Sequence, residues 1–183
     1  MNYKDNITNG MDFLAKQEKV VFIGEGIVNA GRIYGTMKNV PSNKCIEMPI
    51  AENLVMGVGM GLSMGGYIPV VVFQRMDFML NAADCIINHL ALAIQFSEGV
   101  LRMPLIIRCI VGSQSKKFDI GAQHRHDFTS FFSEYIQTFK AEDTNYEKLY
   151  GEITAENAQC PIMVVEHKDL YETELNDAIT QGL

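Results

Sequence analysis

The sequence predicts an α/β fold, in which helices cover both faces of a parallel sheet in one three-layer α/β/α domain. Strand-like and helix-like segments alternate along most of its 183 residues, as they do where crossover helices join parallel strands. The segment 67–73 is a continuous apolar run, which is typical of a strand buried on both faces, and the largely apolar segment 104–111 is read as another buried strand. The length suits a single domain over 1–183, with a core at about 19–171 between a helix at 3–17 and a polar tail at 172–183.

The first half of the chain contains two strands and two helices before the first apolar run. The helix at 3–17 precedes a short β-rich run at 19–26, which ends in a glycine-rich turn. An irregular stretch then leads to a strand-like segment at 45–50. This segment is followed by a helix at 51–65 that has Glu52 in its first turn.

The second half continues the alternation. Helical spacing of apolar side chains predicts a long helix over 80–96, between the two apolar strands. The later elements are a polar loop at 112–126, a helical patch at 128–135, a strand at 136–141, a helix at 146–159 and a strand at 161–166.

The composition argues against several classes of function. The net charge is −7 and no lysine or arginine stripe is present, which disfavours nucleic-acid binding because phosphate neutralisation supplies most of that affinity. No run approaches the roughly 18 apolar residues of a membrane span, and the polar start is unlike a secretory signal. We therefore expect a cytoplasmic protein that binds neither nucleic acid nor membrane. The cysteines lack a Cys-x-x-Cys pairing and are expected to be reduced and buried: Cys45, Cys85, Cys109 and Cys160.

The glycines at 57–65 do not form a dinucleotide-binding motif. Gly57 and Gly59 would begin a Gly-x-Gly-x-x-Gly pattern, but Leu62 stands where its third glycine belongs. Gly57, Gly61 and Gly65 instead recur at intervals of four, along one face of the predicted helix. Each glycine costs a helix about 1 kcal/mol relative to alanine. The pattern therefore predicts a close helix crossing, either within the subunit or between subunits.

Glu52 has two readings from its position alone. An acid in the first turn of a helix is favoured by the helix dipole, and position makes this the better guess. A carboxyl beside apolar residues such as Ile50 and Leu54 can also exchange a proton with a bound base.

The segment 123–127, Gln-His-Arg-His-Asp, is the densest cluster of reactive polar groups in the chain. Its two imidazoles and carboxylate lack the further ligands, at recognised spacing, that a zinc site needs, so no metal site is predicted. An exposed polar loop is one reading of this segment. The other is a proton donor, either His124 or His126, in an active-site loop.

Five short segments, taken in order along the chain, carry a family resemblance. They are the turn 22–26, the Pro-Ile-Ala-Glu segment 49–52, the pair Asp77–Phe78, the pair Gln123–His124 and the closing strand 160–166. Together they resemble the pyrimidine-binding domain of transketolase-type thiamine diphosphate enzymes. The resemblance is to the beta subunit of the decarboxylating component of 2-oxo acid dehydrogenases in particular, and it runs from about residue 20 to 171.

The resemblance implies a role for each of four residues. In that family the glutamate at the position of Glu52 hydrogen-bonds N1′ of the aminopyrimidine of thiamine diphosphate and thereby activates the cofactor. Phe78 takes the place of the aromatic residue that stacks on the aminopyrimidine, and His124 that of the active-site histidine. Glu25 is the remaining acid of a Gly-Glu-(Glu/Asp) turn, since Gly26 replaces the second acid.

The resemblance also implies a substrate class and a partner. The expected reaction breaks or forms a carbon–carbon bond next to the carbonyl of a keto or ketose substrate, by transketolase-like transfer or 2-oxo acid decarboxylation. The sequence lacks the family's Gly-Asp-Gly…Asn signature, so we expect a separate subunit to bind the diphosphate and Mg²⁺, in an α₂β₂ assembly. The alternatives are a non-catalytic or regulatory homologue and a Rossmann-like nucleotide-binding module.

Overall fold

A computed structural model of the protein describes residues 2–29, 31–114, 121–155, 158 and 160–175. In this part of the chain, strands and helices alternate as predicted, and the fold class is confirmed. The strands are β1 (Val20–Gly24), β2 (Cys45–Glu47), β3 (Ile68–Phe73), β4 (Ile106–Val111), β5 (Gln137–Lys140) and β6 (Ile162–His167). The α-helices are α1 (Tyr3–Ala15), α2 (Glu52–Met64), α3 (Met76–Met79), α4 (Leu92–Phe96), α5 (Thr129–Phe132) and α6 (Tyr146–Thr154).

The strands form one six-stranded sheet in the order β2-β1-β3-β4-β6-β5, and every neighbouring pair is parallel. All residues of β3 and β4 are buried, because helices cover the sheet on both sides. One hydrophobic cluster includes side chains of α1 and α6, and the other includes side chains of α2 and of the segment 76–96. The domain therefore has three layers.

The order of the strands places a cleft beside β1 and β3. From β1 the chain moves outward to form β2 at the edge of the sheet. It then returns past β1 to form β3, which pairs with the other side of β1. The two connections lie on opposite faces, since Ile33 and Met37 belong to one cluster and Val55 of α2 belongs to the other. Such a switch point opens a crevice at the carboxyl ends of the strands.

The helix predicted over 80–96 is broken, which corrects the prediction. A 3₁₀ turn (Leu80–Ala82) follows α3, and a π-helix (Cys85–Ala91) precedes α4. Ile86 and Leu90 on the π-helix are fully buried, so the helical spacing recognised in the sequence is the packing face of this π-helical part. α3 packs against β3 and β4, and the part of the chain that contains it is bent by 59° from the part that follows the break.

The described part of the chain has no single helix that is long and apolar enough to cross a membrane. The bent pair Met76–Ala82 and Cys85–Phe96, with 59° between its parts, passes the same test by length and composition.

The cysteine prediction is partly wrong. All four thiols are free, but only Cys109 is buried, whereas Cys160 is exposed.

Three predicted segments extend beyond the described part of the chain: the polar loop, the helix predicted to end at 159 and the polar tail. The residues concerned lie within 115–120, 156–159 and 176–183.

The connection from β1 to β2 is irregular, as predicted, and its backbone is unusual. Arg32, Ile33 and Tyr34 have φ angles of 46°, 50° and 56°, in the left-handed region that side chains with a Cβ rarely adopt. The Arg32 guanidinium holds this turn by donating to the Val40 carbonyl at 2.7 Å and to Ser42 Oγ at 2.6 Å. The turn places Tyr34 beneath the Arg75 guanidinium, 5.3 Å from its ring centroid.

Candidate active site

A cleft of about 530 Å³ opens at the carboxyl ends of β1 and β3, within the size range of small-molecule sites. It brings together the four residues singled out from the sequence. A smaller, more enclosed space adjoins it between Glu52, Phe78 and the end of β3. The lining of the larger cleft consists of Glu25, Ile50, Glu52, Gln74, Arg75, Phe78, Asn81 and His124.

Glu52 is the first residue of α2, is partly buried and lines the cleft. Oε2 accepts a hydrogen bond from Asn81 Nδ2 at 3.2 Å. Oε1 has no partner among the described residues. Glu52 thus combines the helix-start position expected from the sequence with a carboxylate oxygen that is available to a ligand.

The turn after β1 presents Glu25 to the cleft and is held from two sides. Gln74 Nε2 donates to the Glu25 carbonyl at 2.7 Å. Glu47 accepts from the backbone amides of Gly26 and Val28, the latter at 2.8 Å. Gly26 has φ +69°, and a Cβ there would lie 2.5 Å from Gln74 Nε2. The residue that replaces the second acid of the Gly-Glu-(Glu/Asp) turn is therefore a glycine that this backbone requires.

Phe78 and His124 meet at the mouth of the cleft. Phe78, on α3, is 36% exposed, although Met76 and Met79 on the same short helix are fully buried. His124 ends a 3₁₀ turn (Ala122–His124), and its ring lies edge-on to Phe78, with centroids 5.3 Å apart at 75°. An aromatic face and an imidazole thus lie together on the side of the cleft above Glu52.

Arg75 was missed by the sequence reasoning, as were Gln74 and Asn81. Its guanidinium donates to the Gln74 carbonyl at 2.7 Å, its Nε is buried without a hydrogen-bond partner among the described residues, and burial lowers its pKa. The signal that could have found Gln74 and Arg75 is their position directly after β3, at the edge where parallel sheets bind ligands.

The polar cluster at 123–127 does not act as one unit. His126 pairs with Asp77, with 2.6 Å between Nδ1 and Oδ1. Asp127 lies near His167, with 3.5 Å between Oδ2 and Nε2. Among the described residues, no group of three or more His, Cys, Asp or Glu side chains could hold a metal ion.

The surroundings of His167 and Asp127 stabilise the charged form of each side chain. Contact with Glu142, and to a lesser extent with Asp127, raises the pKa of His167 although burial opposes this. Burial also opposes ionisation of Asp127, but hydrogen bonds from Thr129 and His167 outweigh it, so the pKa of Asp127 is lowered.

The glycine prediction is partly corrected by the packing of α2. Gly59 is the glycine that packs within the chain, since a Cβ there would lie 2.6 Å from Val71 Cγ2. Nothing in the described part of the chain approaches the Cβ positions of Gly57 and Gly61 within 4 Å. A crossing inside the subunit is therefore absent there, and a crossing between subunits stays a prediction.

The apolar side chains around this face of α2 are exposed. Ile50 is 76% exposed, Leu54 50% and Leu80 43%. Together with the open glycines they form an uncovered apolar surface beside the cleft, which is the kind of surface that marks an interaction site.

Residues 1–173 match the family model described as transketolase, pyrimidine binding domain. The mitochondrial pyruvate dehydrogenase E1 component subunit beta of Homo sapiens is 28% identical over 174 residues, which cover 92% of this chain and 48% of the relative. The Drosophila melanogaster counterpart is 28% identical over 153 residues, covering 78% of this chain and 41% of the relative.

A solved structure of a split-gene transketolase, an inactive β4 tetramer, has the same fold, with a TM-score of 0.67 at 16% identity. The match covers 92% of this chain and 52% of that one. This chain thus spans about half the length of the relatives it matches.

Proposed function

Because the chain belongs to the family of transketolase pyrimidine-binding domains, we propose that it is the pyrimidine-binding subunit of a two-component thiamine diphosphate-dependent enzyme. The reaction would break or form a carbon–carbon bond next to a carbonyl, by ketol transfer or by 2-oxo acid decarboxylation. One observation carries the proposal: Glu25, Glu52, Phe78 and His124 come from four separate segments and line one cleft.

The residues present fit an aminopyrimidine ring. Such a ring is planar and has a basic nitrogen, so it requires an aromatic face and an acid in its plane. Phe78 offers a partly exposed face, and Glu52 offers Oε1, which has no protein partner among the described residues. Bound thiamine diphosphate would supply the electron sink that makes carbon–carbon bond cleavage next to a carbonyl possible. Glu52 would hold and move the proton at the ring nitrogen.

The other side of the cleft is suited to the substrate. His124 would exchange a proton with the substrate or hydrogen-bond to it. Arg75 has no carboxylate partner within ion-pair distance among the described residues, and its guanidinium would bind an anionic group such as a carboxylate or phosphate.

A separate subunit would complete the site by binding the diphosphate and Mg²⁺. The split-gene transketolase with this fold is an inactive assembly of β chains, which supports the need for a second component. The uncovered apolar surface around Ile50 and Leu54, beside the cleft, is where that subunit would pack. An α₂β₂ assembly would then contain two sites.

The test is to titrate thiamine diphosphate and Mg²⁺ into this chain alone and into its mixture with a subunit that carries the diphosphate-binding domain. We expect tight binding only in the mixture, together with exchange of the cofactor C2 proton. Glu52→Gln should slow that exchange by roughly 10²–10⁴-fold, the usual range for a lost acid–base group.

Glu147→Gln is the matched control, because Glu147 is also an acid in the first turn of a helix, α6, and is exposed far from the cleft. Unchanged exchange in Glu52→Gln would show that the role assigned to Glu52 is wrong. Tight Mg²⁺-dependent binding by the chain alone would show that the divided site is wrong, and binding without exchange in the mixture would indicate a non-catalytic homologue.

A further inference from the structure

The segment that carries His124 is held by two imidazole–carboxylate contacts, and we infer that these contacts position His124 for the reaction. One joins His126 to Asp77, and the other joins Asp127 to His167. The inference rests on the proposed function for what His124 does, whereas the placement of its ring can be measured in this chain alone.

The first contact connects the segment to the short helix that carries Phe78. His126 Nδ1 lies 2.6 Å from Asp77 Oδ1, and the Asp77 side chain is only 9% exposed. Asp77 directly precedes Phe78, whose ring His124 meets edge-on. His126 also stacks on Phe128, with ring centroids 5.6 Å apart. The His126 backbone amide also donates to Asp77 Oδ1, at 3.4 Å, whereas Asp77 Oδ2 is buried without a partner in the described part of the chain. The shorter of the two contacts to this carboxylate is thus made by the His126 ring.

The second contact connects the segment to the end of β6. His167 lies between two carboxylates, with Nε2 3.5 Å from Asp127 Oδ2 and Nδ1 3.1 Å from Glu142 Oε1. Its backbone amide donates to Tyr3 Oη at 3.0 Å, and Tyr3 Oη in turn donates to Glu142 at 3.4 Å. A protonated imidazole can donate to both carboxylates at once, so His167 joins the segment to an anchored part of the fold.

Side chains dominate these contacts because the segment has little regular structure. Between the 3₁₀ turn that ends at His124 and helix α5, no strand or helix is formed. The Phe128 amide donates to Met76 Sδ at 3.0 Å, and the Gln114 side chain donates to the Arg125 carbonyl. The position of His124 therefore depends on groups two or three residues away, at 126 and 127.

The test uses the histidine ring signals of the labelled chain in NMR spectra. The protein has four histidines, so each ring can be assigned by single substitutions. We expect the Phe78 ring to displace the His124 signals, and Phe78→Leu to abolish the displacement. His126→Phe keeps a ring against Phe128 but loses the donor to Asp77, so it should abolish the displacement as well. His126→Asn, whose amide nitrogen can take the place of Nδ1, should restore most of it.

The second contact is tested by a matched pair of substitutions. His167→Asn keeps a donor towards Glu142 and loses the one towards Asp127, whereas His167→Gln does the reverse. We expect a smaller displacement of the His124 signals in His167→Asn and a nearly unchanged one in His167→Gln. His89→Gln is the control, since it removes an exposed pair with Asp84 elsewhere on the surface.

Unchanged His124 signals in both His126→Phe and His167→Asn would overturn the inference. The inference would also be overturned if the His124 signals were the same in Phe78→Leu as in wild type. Circular dichroism identifies variants that have lost the fold, and the conservative variants His126→Asn and His167→Gln then carry the comparison. Failure of wild-type chain and partner to bind thiamine diphosphate would remove the proposed function. The ring signals would still decide the positioning.

Discussion

The side of the cleft formed by Glu25 and Glu52 is built on regular elements and on hydrogen bonds to backbone groups, whereas the histidine side depends on paired side chains. Glu52 begins a 13-residue helix, and the turn at Glu25 is held by Glu47 and Gln74 through main-chain groups. His124 lies in a segment whose contacts are largely imidazole–carboxylate pairs.

The difference has a physical consequence. Hydrogen bonds from backbone amides persist at any pH at which the acceptor is ionised, while an imidazole loses its charge near neutrality. The backbone geometry of the Glu25 turn should therefore persist as long as Glu47 is ionised. The contact between Asp127 and His167 should weaken as pH rises through the raised pKa of His167. Three substitutions test this contrast in order of decreasing effect.

The largest change in stability should follow from Glu47→Ala. It removes a carboxylate that accepts from two backbone amides of the Glu25 turn. Hydrogen bonds to charged groups contribute about 1.5–3 kcal/mol each when buried and less when exposed. Because Glu47 is exposed, we expect a loss of about 2 kcal/mol in urea denaturation. The control is Glu18→Ala, at an exposed site, which should change the stability little. A loss in Glu47→Ala no larger than that in the control would contradict the importance given to this turn.

A smaller loss should follow from Gly26→Ala. The left-handed φ costs a residue with a Cβ about 1–2 kcal/mol, and the new Cβ would displace the Gln74 amide from the Glu25 carbonyl. The same change at Gly57 makes a useful contrast, because that glycine is helical with open space around it. Gly57→Ala should stabilise the chain by up to about 1 kcal/mol. Equal effects at the two sites would argue against the turn geometry.

The smallest effect should be the pH dependence contributed by His167. Its pKa is raised above 6.5 by Glu142 and Asp127, so its stabilising contribution is complete below about pH 6.5 and is lost as pH rises through the folded-state pKa. Because the cluster is partly exposed, we expect less than about 1 kcal/mol. Denaturation at about pH 6 and about pH 9 should show a smaller difference in His167→Asn than in wild type or His89→Gln. An identical difference in all three would contradict the pairing.

On the side of the cleft formed by Glu25 and Glu52, the strand and the helix could be predicted from the sequence because their signals are local. A strand that ends in glycines and an acid at a helix start are features of neighbouring residues, but position alone favoured a helix-dipole role for Glu52, and the site roles of Glu25 and Glu52 came from the resemblance. Phe78 was found through the resemblance, and the structure brings it to the same cleft. Gln74 and Arg75 follow a strand directly and could have been found from that position.

On the histidine side, His124 was found from the sequence, but the side-chain pairs around it could not be predicted because the partners are distant in sequence. His126 pairs with a residue 49 positions away, and Asp127 with one 40 positions away. No periodicity encodes such pairs. The break at 80–96 escaped prediction for a related reason, since a π-helix preserves the apolar spacing that was read as one continuous helix.

The open glycines of α2 have a consequence for the dynamics of the free chain. A helix with Gly57 and Gly61 uncovered has little to stabilise its outward side, so its amides should exchange with solvent sooner than those of the buried strands. Glu52 lies at the start of that helix. A subunit that covers the glycines would slow amide exchange and hold the acid in place in the same step, so assembly and readiness for chemistry would be thermodynamically coupled.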